Sequence, residues 1–199
     1  RIGQHVRRLR RLVSPELDYW CFSGDRIGSD APFVDRIYLL PGFPNPYPIN
    51  KVIELPAMTS SASSARDASR ALVIGQPLVG IGMLDKEGLD EITHRITEWL
   101  KKNGFSRIDY KAHPRDPHQE FKVPGSTLLE IDKPLETYIA SQDYGAIVGV
   151  NSTSLFMARQ ICGADTPIVS FGMDRLHFKI TGEESRTLDL MRLLSIEVC

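Results

Sequence analysis

From residue 71 onward the chain alternates short runs of consecutive apolar residues with segments whose apolar positions recur every three or four. Residues 71–75, Ala-Leu-Val-Ile-Gly, form the first run. A strand covered on both faces reads this way, because neither of its sides reaches water. Leu89, Ile92, Ile96, Trp99 and Leu100 follow at helical spacing, with Asp90 and Glu91 in the first turn and Gly104 past the end, as the helix dipole and the stop signal require. Residues 107–111 alternate again and predict a strand. Further strands are predicted at 126–131, 145–150 and 167–171, and helices at 135–141 behind Pro134, at 154–162 before Gly163, and at 185–198. Alternating strands and helices predict an α/β fold with a parallel sheet covered on both faces.

The first seventy residues carry a weaker pattern. Ile2, Val6, Leu9 and Val13 share one helical face, while Arg1, Arg7, Arg8, Arg10 and Arg11 lie between them. Two readings stand side by side: a core-packing helix with a solvated arginine face, or a basic amphipathic helix for an anionic membrane surface or an acidic acceptor. Short strands are predicted at 17–22, 34–40 and 51–55, with a turn-rich loop at 23–30; the four prolines between 41 and 48 exclude helix there. Residues 59–64 are small and polar, a shift in composition that predicts a linker near 60–70 and divides the chain into 1–65 and 66–199. The first part does not carry enough apolar pattern to fold alone, and the chain begins at Arg1, so its N-terminal half is expected to be incomplete.

Composition narrows the function. Net charge is −1, which gives no overall attraction to nucleic acid. Cys21, Cys162 and Cys199 are odd in number and far apart, a pattern that suits neither a disulfide framework nor a zinc site and fits a reducing compartment. No apolar run approaches the roughly 18 residues of a membrane span.

Two strand ends carry candidate chemistry. After the strand at 107–111 come His113, Pro114, Arg115 and Asp116, with Lys111 just before. Pro114 stops the ladder and keeps His113 extended. A titratable imidazole between two cations, at the carboxyl end of a parallel strand where α/β sheets bind ligands, suits a phosphate ester whose leaving group needs a proton or a counter-charge. A His-Pro turn with solvated charges is the alternative. The second end reads Gly-Val-Asn-Ser-Thr-Ser over 149–154 and joins a buried strand to a helix. Ser152, Thr153 and Ser154 would bring hydroxyls to a helix N-terminus, where free amides and the dipole favour an anion. One of them alone would suffice as a plain cap.

Lys111, His113, Pro114 and Arg115 after one strand, then Ser152, Thr153 and Ser154 after another, resemble the paired His-Pro and Ser/Thr motifs of bacterial sialyltransferases of the polysialyltransferase and lipooligosaccharide sialyltransferase type. Residues 75–78, Gly-Gln-Pro-Leu, and Pro134 with Glu136 add to the likeness, which covers about residues 71–172. The resemblance implies a two-domain GT-B-like glycosyltransferase whose Rossmann-like C-terminal half binds CMP-sialic acid. It implies inverting transfer of sialic acid to a glycan, capsular polysialic acid or lipooligosaccharide, with no metal and no cofactor beyond the donor. By the same resemblance His113 contacts the CMP phosphate and assists departure of CMP; Gln76, Lys111, Pro114, Arg115, Ser152, Thr153 and Ser154 belong to the donor site; and Glu136 binds the ribose or cytosine.

The base that activates the acceptor hydroxyl has no match in residues 1–70. Asp85, in an acidic cluster before the helix at 89–100, is the nearest candidate, and a helix N-cap is its other reading. A CDP-glycerol glycerophosphotransferase-like enzyme and a non-catalytic nucleotide- or glycan-binding module are the competing classes. The implied partners are a nucleotide-sugar donor and an acidic glycan or glycolipid acceptor, with no nucleic acid. The implied location is the cytoplasm, with peripheral attachment to the inner membrane.

A protein of near-zero net charge needs a local cationic surface to hold an acidic acceptor, and Arg7, Arg8, Arg10 and Arg11 form the densest positive run. Replacing these four with glutamine is expected to raise the KM for a long acidic acceptor and to flatten its salt dependence, since such attraction is screened over about 8 Å. Steady-state kinetics with a short neutral acceptor should stay unchanged; equal effects on both would assign the segment to folding.

Overall fold

The computed structural model describes Leu9, Ser29, residues 33–56 and residues 67–199. The arginines at 7, 8, 10 and 11, the strand expected at 17–22, Cys21 and the boundary expected at 65/66 lie outside the described residues. Among the described residues, those within Arg1–Leu39 and Asn45–Leu55 form one compact unit, and those within Leu40–Pro44 and Pro56–Cys199 form a second.

The smaller unit contains two short parallel strands, β1 (Ile37–Leu39) and β2 (Val52–Glu54), paired Ile37 to Val52 and Leu39 to Glu54. Lys51, just before β2, donates from Nζ to Val34 O, ahead of β1, at 2.7 Å. None of the described residues from 33 to 56 is buried. Strands were predicted over 34–40 and 51–55, and each is shorter than its apolar run.

The larger unit is built on β3 (Asp67–Ile74). Residues 71–73 are fully buried, and β3 has a partner on each side, so the unbroken apolar run predicted this strand well. Helix α1 (Lys86–Lys102) follows. Asp85 Oδ1 accepts from Gly88 N at 2.7 Å and caps it, Lys101 and Lys102 occupy the last turn, and Ile92, Ile96 and Leu100 make the buried stripe. Then come β4 (Arg107–Lys111), β5 (Thr127–Leu128), α2 (Leu135–Ile139), β6 (Tyr144–Gly149), α3 (Thr153–Ile161) and β7 (Ile168–Ser170), and lastly α4 (Glu183–Leu193) and β8 (Glu197–Val198). Among the described residues, no helix is long and apolar enough to cross a membrane.

All six strands β3–β8 run parallel, in the spatial order β5-β4-β3-β6-β7-β8. This is the doubly wound, Rossmann-like order, in which the chain winds outward from β3 in one direction and then from β6 in the other. Two expectations change. Strand β5 is two residues long where 126–131 was predicted, because only Asp109 and Tyr110 of β4 face it in register. The last helix does not run from 185 to 198. It starts at Glu183 and ends at Leu193; Ser195 then adopts φ +54, and Glu197 and Val198 pair with Val169 and Ser170 as an edge strand. The alternation of Leu194, Ile196 and Val198 has the period of a strand, a signal that a helix over 185–198 passes over.

Near the amino-terminal ends of the strands a polar knot ties β3, β4 and β6 together. Arg70 Nε donates to Asp109 Oδ2 at 2.8 Å and Nη1 to Gln142 Oε1 at 3.0 Å, and Tyr144 Oη donates to the same Asp109 oxygen at 2.7 Å. The guanidinium also lies 4.5 Å from the Tyr144 ring centre. Burial first, then the Asp109 contact, hold the Tyr144 phenol far above its ordinary range, so it stays a neutral donor. Removing one partner leaves the other charge buried and unpaired. Arg70→Met is therefore expected to destabilise by about 3 kcal/mol, or roughly 6–12 °C in Tm. The double variant Arg70→Met with Asp109→Leu should recover part of that loss in thermal denaturation.

Candidate functional site

The six strands end on one edge, and that edge holds a pocket of about 370 Å³, within the size range of small-ligand sites. Four strand ends build it. β3 contributes Ile74 and Gly75; β4 and the turn after it contribute Lys111, Ala112, His113 and Pro114; the β5–α2 connection gives Ile131, Lys133, Pro134 and Leu135; and the β6–α3 turn gives Ser152 and Ser154. β3 and β6 are the strands at which the winding reverses, so the pocket sits where open α/β sheets have a crevice. Gly75 is required there, since a Cβ would run into Tyr110 Oη beneath it.

His113 stands at the mouth, in a turn closed by Asp116 N donating to His113 O at 2.9 Å. Its Nδ1 accepts from the backbone N–H of Arg115 at 3.0 Å. The neutral ring therefore carries its hydrogen on Nε2, free to donate. Lys111 Nζ makes one long contact, 3.3 Å to Ala112 O, and keeps donors for an anion. Lys133 lines the wall, with its ammonium 5.6 Å from the Tyr138 ring centre and donating to Ser141 Oγ at 3.4 Å. No carboxylate lines the pocket among the described residues. Lysines and an imidazole thus line a cavity with no acidic counterpart, which suits an anionic ligand.

The β6–α3 turn supplies neutral donors. Ser152 is buried, caps α3 and accepts from Ser154 N through Oγ at 3.2 Å. Plain capping is thus part of its role. Exposed Thr153 begins the helix. Val150 O, behind the turn, accepts from the fully buried Ser170 Oγ at 2.6 Å.

The first loop of the sheet, which cradles phosphate in dinucleotide-binding folds, is already occupied. Glu120 accepts from Val79 N at 2.8 Å and from Gly80 N at 2.9 Å. A carboxylate of the chain itself fills those amides, which leaves the hydroxyl-bearing β6–α3 turn as the strand end beside them that faces the pocket. Behind this loop Asp116 is buried and accepts from Glu120 N at 2.9 Å and from Tyr110 Oη at 3.4 Å. Burial, followed by that carboxylate, raises the Tyr110 phenol well beyond its usual range.

Of the residues singled out from sequence, the pocket gathers Lys111, His113, Pro114, Ser152 and Ser154. Thr153, Arg115, Gln76 and Glu136 adjoin lining residues in the chain without lining the pocket themselves. Gln76 turns its amide onto the backbone of Asn151. Asp85 uses its carboxylate as the cap of α1. Sequence reasoning missed Ile131, Lys133 and Leu135. The rule that pointed to the ends of β4 and β6 also applies to β5, but a strand of two residues left little pattern from which to locate its end.

A family model for alpha-2,8-polysialyltransferase (POLYST) matches residues 49–169, a span that contains every segment lining the pocket. A search of curated proteins found no match. With more than half of its length covered, the chain belongs to the alpha-2,8-polysialyltransferase family, glycosyltransferases that transfer sialic acid to a glycan, with a nucleotide-sugar donor and a glycan acceptor as their partners.

Proposed function

We propose that the pocket binds the CMP moiety of CMP-sialic acid, and that the parallel-sheet unit is the donor half of a GT-B-like enzyme. The observation that carries this reading is the meeting of His113, Lys111 and Lys133 with Ser152 and Ser154 around one cavity at the switch point. The donor brings two negative charges to the reacting centre, the phosphodiester and the sugar carboxylate. Lys111 offers a counter-charge at the pocket, and Lys133 adds positive potential from its wall.

In the proposed reaction the acceptor hydroxyl attacks the anomeric carbon from the face opposite CMP, inverting it. As that bond forms, the bond to the phosphate oxygen breaks and negative charge grows on CMP. The Nε2 hydrogen of His113, fixed by the Arg115 contact on Nδ1, donates to the phosphate as this charge develops. Such a hydrogen bond stabilises the transition state more than the ground state. Lys111 and the Ser152–Ser154 hydroxyls hold the same phosphate, a role that needs no metal. Glu136, one residue past the pocket wall, takes the ribose or cytosine. The proton of the acceptor hydroxyl passes to a base from outside the pocket lining; Asp85 is the candidate from sequence, and its carboxylate is engaged as the cap of α1.

CMP at a hundred times its dissociation constant should stabilise the protein by about 2.7 kcal/mol, a rise in Tm of roughly 5–11 °C, with UMP and AMP giving less in the same thermal-shift experiment. Equal shifts for all three would count against cytidine recognition, and no shift for any would remove the site. His113→Ala should lower turnover by about 10²- to 10⁴-fold, while CMP affinity measured by calorimetry falls far less. Turnover within a few fold of the parent would show that His113 takes no part in CMP departure.

A further inference from the structure

We infer that Gln76 is a positioning residue: its side-chain amide clamps the β6–α3 turn across the switch point, and it acts on the donor only through that turn. The inference rests on the reading of the turn as the phosphate site. The last paired residues of β3 and β6 on the pocket side are Val73 and Val148. Three residues further along each chain stand Gln76 and Asn151, so the two remain opposite one another.

The backbone ladder between β3 and β6 does not reach this level, and Val150 O, the next acceptor in line, is taken by Ser170 Oγ. Gly75 N donates to Lys111 O at 2.9 Å on the β4 side. Gly149 O accepts from Phe171 N at 2.9 Å, and Val150 O accepts from Ser170 Oγ at 2.6 Å, both on the β7 side. Gln76 spans the gap that results. Its Nε2 donates to Asn151 O at 2.7 Å, and its Oε1 accepts from Asn151 N at 2.8 Å. One planar amide thus replaces the ladder rung that the diverging strands lack.

Asn151 immediately precedes Ser152, whose Oγ caps α3 at Ser154 N. The turn is therefore held from both sides, by Gln76 through Asn151 and by Ser170 through Val150. The clamp needs a donor and an acceptor on one group at this reach. Asparagine is one carbon too short. An ionised glutamate would keep the bond from Asn151 N but set a second oxygen against Asn151 O. A protonated glutamate would restore both bonds.

The test uses the full chain, with CMP as the probe. In ligand-free protein, Gln76→Ala should speed hydrogen–deuterium exchange at amides 151–155. It should weaken CMP binding roughly tenfold, the cost of unpaired polar groups at a half-buried site, and raise the KM for CMP-sialic acid more than it lowers kcat. Gln76→Glu should bind CMP as weakly as Gln76→Ala at about pH 7 and approach the parent near or below about pH 4, as its carboxyl protonates, while the ratio of Gln76→Ala to parent stays constant. Weaker CMP binding with unchanged exchange in the ligand-free variant would make Gln76 a direct donor contact and overturn the clamp, as would no change in either measurement. If Gln76→Ala does not fold, the pH-dependent recovery of Gln76→Glu decides the matter. Failure of the parent to bind CMP would remove the donor reading, and the exchange experiment would still decide the clamp.

Discussion

β3 is hydrogen-bonded to β4 on one side and to β6 on the other, and the chain leaves these two strands in opposite directions. Backbone groups cannot follow both departures and stay paired. A crevice must therefore open at the carboxyl ends, and everything of chemical interest in the larger unit gathers around it. The same pairing buries residues 71–73 on both faces, so the element that makes the crevice is also the most deeply fixed part of the core. The stability of the fold and the location of the site have one cause.

Around the crevice, groups that hold backbone and groups left for a ligand are kept apart. Glu120 fills the amides of the first loop, Ser170 and Gln76 hold the backbone on either side of the second, and Arg115 N fixes the ring of His113. Each of these contacts satisfies a polar group that would otherwise be costly to leave unpaired. Lys111 makes one long contact with the protein, at 3.3 Å to a carbonyl, while Lys133 rests on the Tyr138 ring and donates to Ser141 Oγ at 3.4 Å. A cation with spare donors beside a rigid, neutral hydroxyl turn forms a preorganised anion site, which reorganises little when charge develops. At the other end of the strands the Arg70–Asp109–Tyr144 knot is fully paired within the protein, and burial keeps its tyrosine neutral. It binds the sheet together and offers nothing to a ligand.

Much of this was legible in the residues. The apolar continuity of 71–75 and 145–150 marked the two central strands, because only burial on both faces tolerates such runs. The spacing of Ile92, Ile96 and Leu100 marked the stripe of α1, and Asp85 carried the signature of a cap as well as of a base. Pro114 marked where β4 stops and hence where His113 would stand. What misled the reading was the tail. Leu194, Ile196 and Val198 alternate as in a strand, and the helix reading runs past that change of period; Val198 pairs with Ser170 at the edge of β7.

The sequence by itself determined the alternation of strands and helices, and with it the parallel sheet, since local period and burial are properties of neighbours along the chain. It also marked two strand ends, at His113 and at Ser152, as places of chemistry. Only the tertiary structure decided that those ends meet. Strand order is set by pairings between residues as far apart as Val73 and Val148, and no local pattern encodes it. The same holds for Lys133, which reaches the pocket from the end of β5; for Glu120, which closes the first loop from 40 residues away; and for Gln76, whose partner lies 75 residues further on. Each is an ordinary polar residue until folding sets another segment of the chain beside it.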